Sequence, residues 1–459
     1  MTGHLRLKEQ KAVTMEQSRI FQRATHQVMP VALSGSGIYI TDAQGKQYID
    51  GCGGAAVSCI GHSQPAVAQA IMDQLGKLAY AHTSFFSSAP AEELAEYLVE
   101  LAPPGISHAY FVTGGSEAVE AALKLAHQYH QENGQPQRNK IIARWQSYHG
   151  NTLGALAASG NKMRRVAYAD ILIDVVHIEP CYPYRYRRAD ETLDEYGRRA
   201  ADLLESKILE LGAEHVSCFI MEPVVGASLG AVAAAPGYLK RVREICDRYG
   251  VLLIFDEVMC GMGRCGTSFA SEHDGVVADI YTIAKGLTSG FVPLGAILLG
   301  QRVYDMINEH SGSFRNGHTF SGHPVSCAGA LAVQRFVQQH HLLDNVKRQG
   351  RELERQLLAR FGSHANVGEI RGRGLFFGVE LVADKNTRTP FGAQLGVAAR
   401  VKQESLRRGL LVYPGSGTSD GVNGDHILLA PHYIVSEEEI GCIVERLAQA
   451  VDAVLENIA

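Results

Sequence analysis

A continuous apolar run is the feature that most restricts the fold of this chain. It reads Val-Leu-Leu-Ile-Phe (residues 251–255) and is followed directly by Asp256 and Glu257. A run that is apolar at every position predicts a strand buried on both faces of a parallel sheet, the arrangement of α/β proteins. Ligands of open α/β sheets bind beyond the carboxyl ends of the strands, so we expect these two carboxylates at a ligand crevice. A buried carboxylate there needs a cationic partner.

A second half-apolar run ends in a single lysine. Residues 278–290 read Ala-Asp-Ile-Tyr-Thr-Ile-Ala-Lys-Gly-Leu-Thr-Ser-Gly, so Lys285 follows a short predicted strand and precedes glycines. Desolvation at such a place lowers the pKa of a lysine and makes its amine available as a nucleophile. The alternative is a solvated lysine at a strand end, since most lysines are exposed. A Schiff-base lysine with a carboxylate is the combination used by pyridoxal phosphate (PLP).

Two further strand exits carry residues suited to a phosphorylated ring. Residues 111–118 (Phe-Val-Thr-Gly-Gly-Ser-Glu-Ala) lead from a predicted strand into a predicted helix. Glycines at a helix start expose backbone N–H groups at the positive end of the dipole, which favours an anion, although Gly-Gly-Ser loops also occur without one. Tyr148 follows the predicted strand 141–143, and an aromatic at a strand exit can stack on a planar ring.

These stretches together resemble the class III aminotransferases, the ω-aminotransferase group of PLP enzymes of fold type I. The resemblance rests on Asp-Glu-Val (256–258) and on Asp-Ile-x-x-x-Ala-Lys-Gly-Leu (279–287), and it runs from about Gly37 to about Pro431. The form Arg-Trp-x-x-Tyr-His-Gly (144–150) is most similar to the amine and ω-amino acid:pyruvate branch.

The resemblance implies an α/β fold with two domains. A large domain holds a mostly parallel seven-stranded sheet with helices on both faces, and a smaller α+β domain is built from both chain ends. We expect residues 1–75 to form the N-terminal part of the small domain and residues 76–330 the large PLP-binding domain. Residues 331–459 would form a linking helix and the C-terminal part of the small domain. One long helix is predicted from about Pro324 to Arg360.

The resemblance also implies catalytic and cofactor-binding residues. Lys285 would bind PLP as an aldimine and move the substrate proton as base and then acid, while Asp256 keeps the pyridine nitrogen protonated. Thr319, in the segment Thr-x-Ser-Gly-His-Pro, is expected to reach the phosphate of the other subunit. That would give a homodimer with shared active sites, and dimers could pair into tetramers. The remaining implied cofactor contacts are Gly115, Ser116, Tyr148, His149, Glu222 and Val258.

A substrate pocket is implied as well, and its expected members are Ala56, Phe85, Phe86, Tyr148, Arg315 and Tyr413. Ala56 stands where related (S)-selective amine transaminases have tryptophan, which predicts a roomier pocket. The family places aromatics such as Phe85 and Phe86 against the substrate, often across a dimer interface. Two adjacent aromatics are also common in protein cores, which is the alternative.

Four positions lack the charged side chains with which related branches bind substrate. Asn151 stands where the 4-aminobutyrate and ornithine branches have arginine, and Ala227 stands where they have an acidic residue. Leu428 stands where several branches have arginine, and Tyr413 stands where the amine:pyruvate enzymes have a mobile arginine. A carboxylate is bound best by a guanidinium fork, so either the donor has no nearby carboxylate or an unusual arginine binds it. Arg315 is the candidate, and its alternative is a solvated loop arginine.

The function that follows from the resemblance is PLP-dependent transamination, a transfer of nitrogenous groups. An amine or ω-amino acid would give its amino group to an α-keto acid, expected to be pyruvate, by ping-pong kinetics through the Lys285 aldimine. The alternatives are another class III reaction (aminomutase, racemase or decarboxylating transaminase) and a non-catalytic PLP-binding protein. A nucleotide site is disfavoured, because no Gly-x-Gly-x-x-Gly is followed by a ribose-binding acid.

Composition excludes several other classes of protein. The 459 residues, 46% of them hydrophobic, suffice for two domains with full cores. A net charge of -5 gives no indication of nucleic-acid binding. No apolar run approaches a membrane span, and the N-terminus has no apolar signal region, so a cytoplasmic protein is expected. Nine scattered cysteines suggest no disulfide framework, and the 19 histidines form no metal-binding motif.

Overall fold

The computed structural model of this chain describes residues 19–458. Its strands, in chain order, are β1 (Ala32–Ser36), β2 (Tyr39–Asp42), β3 (Gln47–Asp50), β4 (Ile106–Val112), β5 (Lys140–Arg144), β6 (Val176–Ile178), β7 (Val216–Met221), β8 (Val224–Val225), β9 (Val232–Ala233), β10 (Leu252–Asp256), β11 (Ile280–Ile283), β12 (Gly295–Gly300), β13 (Val367–Arg373), β14 (Phe376–Asp384), β15 (Thr389–Pro390), β16 (Leu410–Leu411), β17 (Tyr413–Ser416) and β18 (Asp425–Leu429).

Its α-helices, in chain order, are α1 (Gly53–Ala56), α2 (Pro65–Lys77), α3 (Ala89–Leu101), α4 (Gly115–Glu132), α5 (Leu153–Ala158), α6 (Lys162–Arg165), α7 (Pro183–Tyr186), α8 (Leu193–Leu211), α9 (Tyr238–Tyr249), α10 (Gln301–Glu309), α11 (Pro324–Gln339), α12 (Leu342–Phe361), α13 (Val397–Arg407) and α14 (Glu437–Leu455). Across residues 19–458, no helix combines the length and the apolar character that a membrane crossing requires.

The largest sheet has seven strands in the order β4-β12-β11-β10-β7-β5-β6. Strand β12 runs antiparallel to both of its neighbours, and the remaining neighbours pair in parallel. The predicted apolar run forms β10 at the centre of this sheet, where every residue of the strand is buried. The prediction of a mostly parallel seven-stranded sheet is therefore confirmed.

Helices cover both faces of this sheet. In β7, Phe219 and Met221 enter one hydrophobic core, which α3, α8, α9 and α11 complete. The alternate residues Cys218 and Ile220 enter a second core, with α4, α5 and α10. Successive strand side chains point to opposite faces, so a strand between two helical layers must be apolar throughout. This explains why the central strands read as continuous apolar runs.

A separate core joins the two ends of the chain. It combines Ile38 and Ile49 with side chains of α12, α13, α14, β14 and β18. Strand β16 also pairs in parallel with β3, Leu410 lying opposite Ile49. The predicted boundaries at residues 75 and 330 stay a prediction, and residues 1–18 and 459 of that division lie outside the described residues.

The prediction of one long helix from about Pro324 to Arg360 is wrong. Helix α11 ends at Gln339 and α12 begins at Leu342, because His341 adopts a left-handed backbone with φ of +50°. The break lets α11 pack on α2 and α3, while α12 packs on α14. Neither glycine nor proline marks the break, so no local pattern in the sequence predicts it.

Candidate active site

One cavity of about 550 Å³ lies where the parallel strands of the large sheet end. The segments that follow β4, β5, β7, β10 and β11 each contribute to its wall. This is the place where open α/β sheets bind ligands. Of the predicted site residues, the cavity brings together Gly115, Ser116, Tyr148, His149, Glu222, Asp256, Val258 and Lys285.

Lys285 lies on the cavity wall just after β11. It is half-buried and opens a short 3-10 turn, with a φ of +44°. That left-handed value is uncommon for a residue other than glycine, and such strained positions are frequent at functional sites. Burial lowers the pKa of Lys285, while the charges of Asp256 and Glu222 act against that shift. The amine is thus held close to two carboxylates in a desolvated place.

Asp256 ends β10 and has donors on both carboxylate oxygens. His149 Nδ1 donates to Oδ2 at 2.7 Å. Oδ1 accepts from the Val258 N–H and from the Thr282 hydroxyl, each at 3.0 Å. Hydrogen bonds to the charged form stabilise a carboxylate as an anion. Asp256 therefore presents a fixed negative charge to the cavity.

Glu222 follows β7 and positions the backbone around Tyr148. Its Oε1 accepts from the Tyr148 N–H at 3.0 Å, and its Oε2 accepts from the Gly226 N–H at 3.1 Å. Burial raises the pKa of Glu222, and the nearby His149 acts against that shift. The side chain thus links the exits of β5 and β7, and it holds the Tyr148 backbone at the cavity wall.

Gly115 begins α4, an 18-residue helix whose first turn faces the cavity. A Cβ at Gly115 would lie 2.8 Å from Val258 Cγ1, so the close approach of these two segments requires glycine. The Ser116 hydroxyl accepts from the Asn151 N–H at 3.0 Å and remains on the wall. A helix N-terminus of this kind favours a phosphate.

These observations fit PLP. The cavity combines a desolvated amine, a fixed carboxylate anion and a helix N-terminus within one space. An aldehyde, a protonated pyridine nitrogen and a phosphate are the three groups that such residues recognise.

Two predicted pocket residues lie next to the cavity rather than in its wall. Ala56 is buried in a cluster with Met259, a wall residue, and Tyr413 packs against the same cluster. The Tyr413 hydroxyl accepts a hydrogen bond from Arg164 Nη2 at 3.4 Å. The Arg164 guanidinium in turn lies 4.6 Å from the centre of the Tyr148 ring.

The structure does not bring the other four predicted residues to the cavity of their own chain. Phe85 and Phe86 are 78% and 68% exposed, and Thr319 is exposed with its carbonyl bonded to the Tyr80 hydroxyl. Arg315 lines a different cleft beside α4, where its N–H donates to a glutamine of that helix. A role for these residues across a subunit interface stays a prediction.

Sequence reasoning missed several residues at the cavity. Val57, Met259 and the segment 290–294 line it, and Thr282 holds Asp256. Thr282 lies opposite Asp256 in the parallel register of β10 and β11. Because Thr282 is close to Lys285 in the sequence, it could have been suspected as a site residue. Its pairing with Asp256 depends on the register between two strands, which the local sequence does not show.

A buried carboxylate outside the cavity supports the loop that carries Ala56. Asp50 Oδ1 accepts from the N–H groups of Cys52 and Gly54, at 3.3 and 3.1 Å. His62 and His432 stand beside its Oδ2, and the potential ligand atoms of the three side chains lie within 4.8 Å of one another. Sequence spacing predicted no metal site, and it could not have found this group because the three residues are far apart in the chain.

Comparison with known proteins agrees with this geometry. The family model described as Aminotransferase class-III matches residues 20–451. An uncharacterized aminotransferase of Schizosaccharomyces pombe is 42% identical over 94% of each chain. The putrescine–pyruvate aminotransferase of Pseudomonas aeruginosa is 33% identical over 92% of this chain and 90% of its own. The ω-transaminase of Pseudomonas jessenii, solved in complex with PMP, superposes with a TM-score of 0.90 at 32% identity, covering 96% and 97% of the two chains.

The fold and the cavity thus define a PLP-dependent α/β enzyme. Within that class, the chain belongs to the class III aminotransferases. The predicted family, the predicted enzyme class and the predicted cofactor are confirmed.

Proposed function

We propose that this enzyme transfers an amino group from an amine or ω-amino acid to an α-keto acid, with pyruvate as the acceptor, by ping-pong kinetics. The observation that carries the proposal is Lys285, which is half-buried and lines the same cavity as the anion Asp256. Burial keeps the pKa of Lys285 below its ordinary value. The putrescine–pyruvate aminotransferase of Pseudomonas aeruginosa, similar over most of its length, supports an amine donor and pyruvate as acceptor.

The wall residues divide the work of holding the cofactor. Gly115 and Ser116 at the start of α4 would bind its phosphate, and the Tyr148 ring would stack on the pyridine. Asp256, oriented by His149, would keep a proton on the ring nitrogen. When bound, PLP supplies an electron sink for the carbon that bears the amino group.

Lys285 would move the proton that transamination requires. In its neutral form the amine takes a proton from the amino-bearing carbon of the substrate and later returns one as the acid. Desolvation favours the neutral amine, and the fixed position of Asp256 leaves Lys285 as the mobile partner. The donor would leave its amino group with the enzyme before the keto acid binds, which is a ping-pong order.

Two copies of the chain would complete each site. Phe85, Phe86 and Phe320 are exposed. The Tyr80 ring lies 5.9 Å from that of Phe320 and 6.5 Å from that of His82, which in turn lies 6.0 Å from the Phe85 ring. Exposed apolar side chains grouped in this way are typical of protein–protein contact surfaces. Thr319 lies within the same surface. We therefore include in the proposal a homodimer in which this surface reaches the partner's cavity.

The test is a half-reaction screen. Purified holoenzyme is mixed with single amines or amino acids without an acceptor, and the visible absorbance of the cofactor is followed. A true donor should change the spectrum once, and pyruvate should restore it. Repeated turnover of the donor alone, to an isomer that keeps its amino group, would favour an aminomutase or racemase, and release of carbon dioxide would favour a decarboxylating transaminase. Either result would contradict the proposed function.

A further inference from the structure

The cavity is bordered by an arginine that the sequence did not single out. Arg164 lies in α6, and its N–H donates to Asn161 Oδ1 at 3.1 Å, which fixes the backbone of this turn. Its guanidinium stands 4.6 Å from the centre of the Tyr148 ring, a cation–π distance. Its Nη2 donates to the Tyr413 hydroxyl at 3.4 Å. Because Tyr148 lines the cavity, this cation stands directly beside the cavity wall.

No acid neutralises Arg164 within the part of the chain that the structure describes. Its side chain makes one long hydrogen bond, to Tyr413, and no ion pair. The next residue, Arg165, differs sharply. Its Nη1 donates to three backbone carbonyl oxygens at and just after the C-terminal end of α5, so it braces the structure. The half-buried Arg164 thus keeps most of its five donors for another partner.

The charge of Arg164 reaches the cavity. Burial raises the pKa of Tyr148, and both Arg164 and the exposed Arg23 act against that shift. Burial lowers the pKa of Lys285, and Arg164 adds to that lowering. The wall at Tyr148 is therefore electropositive, whereas the base of the cavity carries two carboxylates. A substrate with an amino group at one end and an anion at the other matches this arrangement.

We propose that Arg164 binds the carboxylate of the substrate, with the Tyr413 hydroxyl as a second donor, and that the donors are ω-amino acids. The inference rests on the proposed transaminase function and names its substrate class. A guanidinium offers two parallel N–H donors to a carboxylate, and stacking on an aromatic ring holds its plane. Arg164 replaces Arg315 as the arginine that compensates for the missing anchors. The carboxylate of the keto acid would use the same group.

The experiment compares matched substrates in the first half-reaction of the holoenzyme. The substrates are 4-aminobutyrate and butylamine, which share a four-carbon chain and differ in the carboxylate. Arg164→Met should lower kcat/KM for 4-aminobutyrate by about 10- to 100-fold, mainly through KM, as for loss of hydrogen bonds to a charged group. The kcat/KM for butylamine should change much less, so the ratio of the two kcat/KM values should fall. Arg164→Lys should fall between, because it keeps the charge and loses the fork.

A second pair of substrates separates the donor from the acceptor. The holoenzyme is first converted to its aminated form by a donor amine. The rate at which an acceptor restores the starting form is then measured for pyruvate and for butanal, which has no carboxylate. A loss for pyruvate as well as for 4-aminobutyrate supports one carboxylate site used by both. A loss for pyruvate alone overturns the assignment of ω-amino acids as donors.

Two further variants make the result specific. Arg351→Met removes an exposed arginine of α12, far from Arg164 in the sequence. It should leave kcat/KM unchanged for both 4-aminobutyrate and butylamine. Arg315→Met tests the earlier candidate. The inference is overturned if Arg315→Met, and not Arg164→Met, lowers the kcat/KM for 4-aminobutyrate relative to that for butylamine.

A binding measurement without turnover completes the test. Calorimetric titration of holoenzyme with butyrate should show binding that Arg164→Met weakens by the same factor as the kinetic ratio. Equal butyrate affinity in wild type and variant would contradict the inference. A wild-type enzyme that transaminates no amine would defeat the proposed function itself. If the wild type transaminates but Arg164→Met leaves the ratio of kcat/KM for 4-aminobutyrate to that for butylamine unchanged, only the inference about Arg164 is wrong.

Discussion

The floor of the cavity and its rim are built on opposite principles. We call Lys285, Asp256, His149 and Glu222 the floor, and Ala56, Tyr148, Arg164 and Tyr413 the rim. In the floor, both oxygens of each carboxylate accept hydrogen bonds. At the rim, the side chain of Arg164 makes one hydrogen bond, of 3.4 Å, among the described residues. Carboxylates with both oxygens bonded suit a fixed reaction, and a cation that has no ion-pair partner among residues 19–458 suits a ligand that arrives later.

The two regions also differ in their support. Floor residues stand at or near the ends of neighbouring strands of one sheet, packed between two helical layers. Rim residues come from separate segments: the loop at α1, the exit of β5, the short helix α6 and strand β17. Apart from Tyr148, whose N–H donates to Glu222, a change of a rim side chain therefore alters few contacts of the floor. Substrate choice can vary in such a protein while the reaction is kept.

The largest expected effect follows from removing the amine of the floor. Lys285→Ala should lower the rate of transamination by at least about 10²–10⁴-fold, because the group that moves the proton is lost. The measurement is turnover of the best donor with pyruvate, and cofactor content is checked by absorbance. Circular dichroism serves as the control for folding. Retained turnover would show that Lys285 does not take part in the reaction. The floor would then have no clearer catalytic role than the rim.

An intermediate effect is expected at the cofactor cradle. Gly115→Ala places a Cβ 2.8 Å from Val258 Cγ1, so one of the two segments must move. We expect the Kd of PLP to rise about tenfold, in line with the cost of overpacking, with kcat at saturating PLP much less affected. The double variant Gly115→Ala with Val258→Ala should recover most of the affinity. An unchanged Kd of PLP in Gly115→Ala would show that the wall at Gly115 can accommodate a methyl group without disturbing cofactor binding.

The smallest effect is expected at the rim. Tyr413→Phe removes the hydroxyl next to Arg164 and keeps the ring that packs near Ala56. We expect kcat/KM for 4-aminobutyrate to fall by about 2- to 10-fold, the range for one hydrogen bond, with butylamine unchanged. Steady-state kinetics of the two donors check this. Equal losses for both donors would mean that Tyr413 acts through packing and not through the carboxylate.

The sequence predicted the floor better than the rim. Asp256 and Lys285 each follow a buried apolar strand, and that local pattern is enough to place both at the same edge of a parallel sheet. Arg164 carries no such pattern, because one of two adjacent arginines on a four-residue helix looks like any solvated residue. Arg315 had the better sequence context and lies in another cleft.

By itself, the sequence determined the seven-stranded sheet, the family and the cofactor, together with the strand ends that bear the lysine and the carboxylate. The sheet, the family and the cofactor follow from the family resemblance that the short ordered motifs carry, and the strand ends follow from hydrophobic periodicity; both signals are local in the chain. Only the tertiary structure decided that the helix breaks at His341, that Thr282 supports Asp256, and that Arg164 stands over Tyr148. Each of these depends on contacts between distant segments, and packing, rather than local preference, selects such contacts.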